Sequence, residues 1–194
     1  ITFMSSDFKF IDINKLIMSR DTLSKEYQSK SPYRYLVFDK ILKKDAANAV
    51  HDSYPEIEEG TWDGKTYLDQ KNKFQKRTFE KNSTMQNIFD ELNSEEFLKW
   101  LNYVTKIEEP LIADPELFGG GLHQSINGAF LNVHVDYNIH PKTKNHRRLN
   151  VLIYMNKDWK EEYEGHLELW EIDETKQVLL KKVLPKFNRC VIFE

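Results

Sequence analysis

The residues best placed to do chemistry together are His134 and Asp136, in the triplet His134-Val135-Asp136. On an extended strand, alternate side chains leave the same face, so an imidazole and a carboxylate at this spacing stand side by side. Together they can take two adjacent positions on one divalent metal ion. With one more histidine they form the 2-His-1-carboxylate facial triad, which leaves positions on a non-haem Fe(II) open for co-substrate and oxygen. The triplet alone is a weak signal, because it recurs by chance. A half-exposed strand with an incidental His and Asp explains it equally well.

The flanking residues change that balance. A polar loop follows Asp136. After it come Arg147-Arg148-Leu149-Asn150-Val151-Leu152-Ile153-Tyr154-Met155-Asn156-Lys157-Asp158-Trp159, and then Glu164-Gly165-His166-Leu167-Glu168-Leu169-Trp170. This order resembles the prolyl-4-hydroxylase-like branch of the Fe(II)/2-oxoglutarate-dependent dioxygenase superfamily. In that family an H-x-D strand precedes an R-x-x-N/T strand ending in Y-L-N-x-D-W, and a G-G-x-L-x-L/I strand follows. The resemblance covers the C-terminal part of the chain and is most specific in the run from Ile153 to Trp159.

The resemblance implies Fe(II), 2-oxoglutarate as co-substrate, and ascorbate as an auxiliary reductant. It implies a hydroxylation in which 2-oxoglutarate and O₂ end as succinate and CO₂. His134 and Asp136 match the first two metal ligands and so form the expected catalytic pair. The family's third ligand and the basic residue that pairs with 2-oxoglutarate follow the strand matched here by Asn188 to Phe193, so both are expected beyond Glu194. Tyr154 falls where the family's tyrosine donates its hydroxyl to the distal carboxylate of 2-oxoglutarate. Gln124 falls where some relatives place another polar contact. Leu152 and Asn150 share strand parity with Tyr154 and are expected to line the same pocket. The chain departs from the pattern at His166, where the family has a second glycine; a surface substitution is expected there. His123, His140 and His146 lie nearby, but none has the spacing of a third ligand on the same sheet face. Arg147 and Arg148 either steer an anionic substrate or belong to a solvated strand end. Asn156, Asp158 and Trp159 are expected to fix a turn.

The elements that must position these residues are legible in outline. From Gly121 onward, β-branched and aromatic runs punctuated by turn residues predict strands at 122–126, 129–135, 147–154, 166–172, 177–184 and 188–193. Many short strands with turns suggest a sandwich or a closed double sheet. With the resemblance, the expectation is a double-stranded β-helix (a jelly-roll, cupin-like core) over 119–194, with N-terminal helices packed outside: an α+β chain, mainly β. In the N-terminal part, a short extended stretch leads to a helix from about Asn14, broken at Ser31-Pro32-Tyr33. A buried strand is expected at Tyr35 to Phe38, and a helix from Asp45 to Tyr54 stopped by Pro55. Residues 60–80 are polar with Trp62, Tyr67, Phe74 and Phe79 interleaved, and read as a surface loop and edge strand rather than a substrate flap. Ser83 to Leu92 reads as a helix. Asn93, with Glu96 three residues on, reads as the capping box of the next. Its stripe of Phe97, Leu101 and Val104 is expected to pack on a sheet. Gly119-Gly120-Gly121 has neither Walker nor G-x-G-x-x-G spacing and is expected to let the chain turn into the first core strand.

At 194 residues the chain is expected to form one domain, with 1–118 as mostly helical support and edge strands. A net charge of −3 carries no basic excess, so nucleic acid is not an expected partner. No apolar run reaches the length of a membrane span, about 18 residues. Cys190, the single cysteine, cannot form an internal disulfide, which points to a reducing, cytoplasmic location. The chain begins at Ile1 and ends inside an apolar run, so a core truncated at its C-terminus is expected.

The leading functional expectation is a dioxygenase hydroxylating a prolyl residue of a protein or peptide. The proline preference rests on family analogy alone, so other side chains and small-molecule substrates stay open. A cupin-type isomerase or epimerase uses the same fold without 2-oxoglutarate. A non-catalytic jelly-roll interaction domain is the third possibility.

Overall fold

The structure is a computed structural model and describes residues 8–64 and 70–194. Tyr67 and the start of the expected N-terminal extended stretch lie outside them. In chain order the elements are α1 (Ile13–Gln28), β1 (Tyr35–Asp39), α2 (Lys44–Asp52), β2 (Asp63–Gly64), β3 (Gln70–Lys76), α3 (Thr84–Leu92), α4 (Glu95–Thr105), β4 (Leu122–Leu131), β5 (Asn150–Tyr154), β6 (Leu167–Ile172), β7 (Gln177–Val183) and β8 (Arg189–Phe193). Helices and antiparallel sheets share the chain, so the architecture is mixed rather than mainly β.

Helix starts follow their capping side chains. Asp12 caps α1 by accepting from the Lys15 N–H, and Ser83 caps α3 by accepting from the Gln86 N–H. The cap of α4 is Ser94, whose hydroxyl accepts from the Phe97 N–H at 3.3 Å, and not Asn93 as the capping-box pattern suggested. Asn93 is already committed. It ends α3, its N–H donating to the Phe89 carbonyl, and its carboxamide holds the backbone of Asp114 on both sides.

The apolar stripe of α4 is buried as expected, with Phe97, Trp100, Leu101 and Val104 at most 4% exposed. Each such side chain stabilises the fold by about 1.5–3 kcal/mol relative to exposure. The partner differs from expectation. The stripe packs mainly on α1, where the Trp100 indole N–H donates to the Leu16 carbonyl at 2.9 Å. It reaches the sheet through Trp100, edge-on to Phe38.

That sheet has the order β1-β8-β5, all antiparallel. Its register forms cross-strand rows that alternate in face. The rows Leu36–Ile192–Val151 and Phe38–Cys190–Ile153 turn toward the helices and belong to the main hydrophobic core or pack against it. The rows Tyr35–Phe193–Asn150, Val37–Val191–Leu152 and Asp39–Arg189–Tyr154 occupy the opposite face. Arg189 grips Asp39 there with two hydrogen bonds, of 2.7 and 3.1 Å.

A second sheet has the order β2-β3-β4, and β6 pairs with β7 as a hairpin. The two strands expected at 122–126 and 129–135 are one strand, β4, which bends at a register shift opposite Lys71 and Lys73. Asn72 and Gly128 both have positive φ there, as a bulge requires. Described pairing ends at Leu131 opposite Gln70, so His134-Val135-Asp136 lies past the strand rather than in it. The strand expected from 147 starts at Asn150, because residues 139–147 form a turn closed by the Ile139–His146 bridge and an Arg147 N–H to Asn138 carbonyl bond. Gly121 (φ +87°) does open β4. A Cβ there would lie 2.4 Å from the Lys76 carbonyl oxygen, so only glycine lets the two backbones meet. No described helix is long and apolar enough to cross a membrane.

Candidate metal centre

His134 and Asp136 come together although their segment lacks a ladder among the described residues. The segment is extended enough that Val135 projects into solvent, 91% exposed, while its two neighbours turn to the other side. His134 Nε2 lies 3.5 Å from Asp136 Oδ1. His134 Nδ1 sits 2.7 Å from the Asn132 carbonyl oxygen, which only accepts, so the neutral ring carries its proton on Nδ1. Nε2 is then left with a lone pair aimed beside a carboxylate oxygen. An ion with bonds of about 2.0–2.2 Å touches two donors up to about 4 Å apart. The pair therefore fits a divalent iron at two positions. Both side chains remain more than a third exposed, which leaves approach open. The described residues contain no cluster of three His, Cys, Asp or Glu side chains for a metal, so they supply no third ligand.

Arg147 stands on the other side of the carboxylate, its guanidinium 3.4 Å from Asp136 Oδ2. It also hydrogen-bonds Asn150 Oδ1 and lies over the Tyr137 ring. Neither sequence expectation for Arg147 covers this role. Arg148 pairs with Glu109 at 3.0 Å at the surface.

Tyr154 lies on the face of β5 turned away from the helices, together with Asn150 and Leu152. Its hydroxyl has no hydrogen-bond partner among the described residues. Burial, with a smaller effect from Cys190, pushes its pKa up to about 12, so it stays protonated and able to donate. Gln124 lies on the other sheet, opposite Phe74 on the face where Leu122 enters the core. Its Oε1 is buried without a partner. A flip of the amide would present its NH₂ donors there instead. Among the described residues, no hydrogen bond or ion pair joins Gln124, Leu152 or Tyr154 to His134 or Asp136.

The other histidines sort by environment. His123 projects from the opposite face of β4 to Gln124 and feels the charges of Lys73, Arg147 and Asp136. Its surface is partly open, but dense surroundings desolvate it, and its pKa is pushed down to about 4. His140 Nδ1 accepts from the N–H groups of Lys142 and Thr143 in a turn. His146 belongs to the bridge that closes that loop. His166 is no surface substitution. Its side chain is 5% exposed, Nε2 is 2.7 Å from Glu161 Oε2, and Nδ1 is buried without a partner. Asn156, Asp158 and Trp159 form the turn expected of them. The Asn156 amide donates to the Pro185 carbonyl, Asp158 has φ +54°, and the Trp159 indole donates to the Glu164 carbonyl.

Residues 120–194 match the family model described as the 2OG-Fe(II) oxygenase superfamily, so this part of the chain is similar to that superfamily. No curated protein matches the chain.

Proposed function

We propose that the chain is a hydroxylase whose target is a prolyl residue of a protein or peptide, with succinate and CO₂ as co-products. In this reading 119–194 form a double-stranded β-helix core, 1–118 support it within a single domain, and the protein is cytoplasmic. The observation that carries the metal assignment is the 3.5 Å approach of His134 Nε2 to Asp136 Oδ1, with the Nδ1 proton held by Asn132.

His134 and Asp136 would hold the iron, which with bound 2-oxoglutarate supplies the oxidising chemistry. The chain's own residues do the rest. The Asn132 carbonyl fixes the His134 tautomer and ring orientation, as outer partners of metal-bound histidines do. Asp136 offers Oδ1 while Arg147 occupies Oδ2. Tyr154, protonated at neutral pH, is a donor for the distal carboxylate of 2-oxoglutarate. Leu152 and Asn150, on the same face, would line that pocket, and Gln124 would add a polar contact.

The test is incubation of the protein with Fe(II), 2-oxoglutarate, O₂ and proline-containing peptides, read by mass spectrometry. Succinate formed in step with one oxygen atom added to proline is the expected result. Oxygen on another side chain would keep the hydroxylase and displace the proline assignment. Metal binding without 2-oxoglutarate turnover would point to the isomerase class, and no metal binding to an interaction domain.

A further inference from the structure

The segment carrying the two ligands lies past β4, so something other than a described sheet ladder must hold it. Arg147 makes three contacts that do so. Its guanidinium pairs with Asp136 Oδ2 at 3.4 Å, hydrogen-bonds Asn150 Oδ1 at the first residue of β5, and lies 4.7 Å from the centroid of the Tyr137 ring. Tyr137 is itself fixed. Its hydroxyl donates to the Phe118 carbonyl at 2.6 Å, and its ring meets Phe118 edge-on. The ring also fills the space over Gly119, where a Cβ would come within 2.7 Å of it. The Arg147 side chain is 21% exposed, so it is not a solvated strand end.

A guanidinium is a planar fork of five donors that also stacks on aromatic faces, and a lysine ammonium is not. One side chain therefore ties the ligand segment to the Gly119 turn and to β5. We propose that Arg147 is a positioning residue of the metal centre. Braced on Tyr137 and anchored to Asn150, it holds Asp136 so that one carboxylate oxygen faces His134. The inference rests on the reading of His134 and Asp136 as metal ligands. The positive charge of Arg147 opposes a nearby divalent cation, so any net gain must come from orientation. A substitution that keeps the charge and removes the fork is therefore the discriminating one.

The test is titration of the full chain with Co(II), followed by absorption, for the unsubstituted protein, Arg147→Lys, Tyr137→Leu and Asp136→Ala. Thermal unfolding of each metal-free protein runs alongside. Arg147→Lys and Tyr137→Leu should each weaken Co(II) binding about 10–100-fold, the range typical of partners that orient a ligand. Both should alter the Co(II) spectrum, while metal-free Arg147→Lys unfolds close to the unsubstituted protein. Unchanged affinity and spectrum in Arg147→Lys would overturn the positioning role, even if Tyr137→Leu fails to fold. If the unsubstituted protein binds no Co(II), or Asp136→Ala binds it equally well, the metal-ligand reading fails and takes this inference with it.

Discussion

Tyr154→Phe separates a co-substrate role from a structural one. The Tyr154 hydroxyl has no described protein partner, so its removal breaks no internal hydrogen bond. The ring stays, and with it the packing. Folding stability should therefore change by no more than about 0.5 kcal/mol, the usual range for a substitution that disturbs no specific contact. Binding of 2-oxoglutarate should change far more. A hydrogen bond to a charged group contributes about 1.5–3 kcal/mol, so its loss should raise the KM for 2-oxoglutarate roughly ten- to a hundredfold. With a pKa pushed up to about 12, the hydroxyl stays a donor well into alkaline solution, so this difference should persist as the pH rises. The assay is succinate formation against 2-oxoglutarate concentration, beside chemical denaturation of both proteins. An unchanged KM would remove Tyr154 from the site. A large loss of stability would make the hydroxyl a structural group instead.

Other outcomes follow from named contacts. Glu91 accepts from the backbone N–H groups of Lys9, Phe10 and Ile11, and Ile11 is fully buried. Glu91→Ala should cost about 2–4 kcal/mol by leaving these donors unpaired, as measured by denaturant unfolding. Gly121→Ala combines a positive φ with a clash against the Lys76 carbonyl and should cost at least about 2 kcal/mol. A change under half that size would mean the β3–β4 junction is softer than it looks. His123 has its folded pKa lowered from 6.5 to about 4, chiefly by desolvation. The unfolded chain then binds the proton first, so stability should fall as pH drops from about 6.5 toward about 4 and level off below. His123→Gln should flatten that slope, and an unaltered slope would assign it to other groups.

The helices were legible because their signals are local. Asp12 and Ser83 cap where the sequence allows, and the Phe97–Leu101–Val104 stripe is buried as its period requires. Where two caps adjoin, local signals compete. Asn93 and Ser94 are both good caps, and the preceding helix decides between them. The face shared by Asn150, Leu152 and Tyr154 follows from parity, and the β5–β8 register agrees with it. The end of β4 was not legible, since no residue type marks the point after Leu131 where its described pairing ends. The His134–Asp136 approach could be inferred from spacing. The contact of Arg147 with Asp136 could not, because a turn closed between residues 138 and 147 brings them together. His166 misled for a similar reason, as its contact with Glu161 forms only once the chain turns between them.

Fe(II) binding by the full chain under anaerobic conditions, compared with Asp136→Ala and His134→Ala, tests the central claim most directly. One Fe(II) per chain is expected, lost in both variants, with each metal-free variant still folded. Fe(II) retained at unchanged affinity in both variants would contradict it.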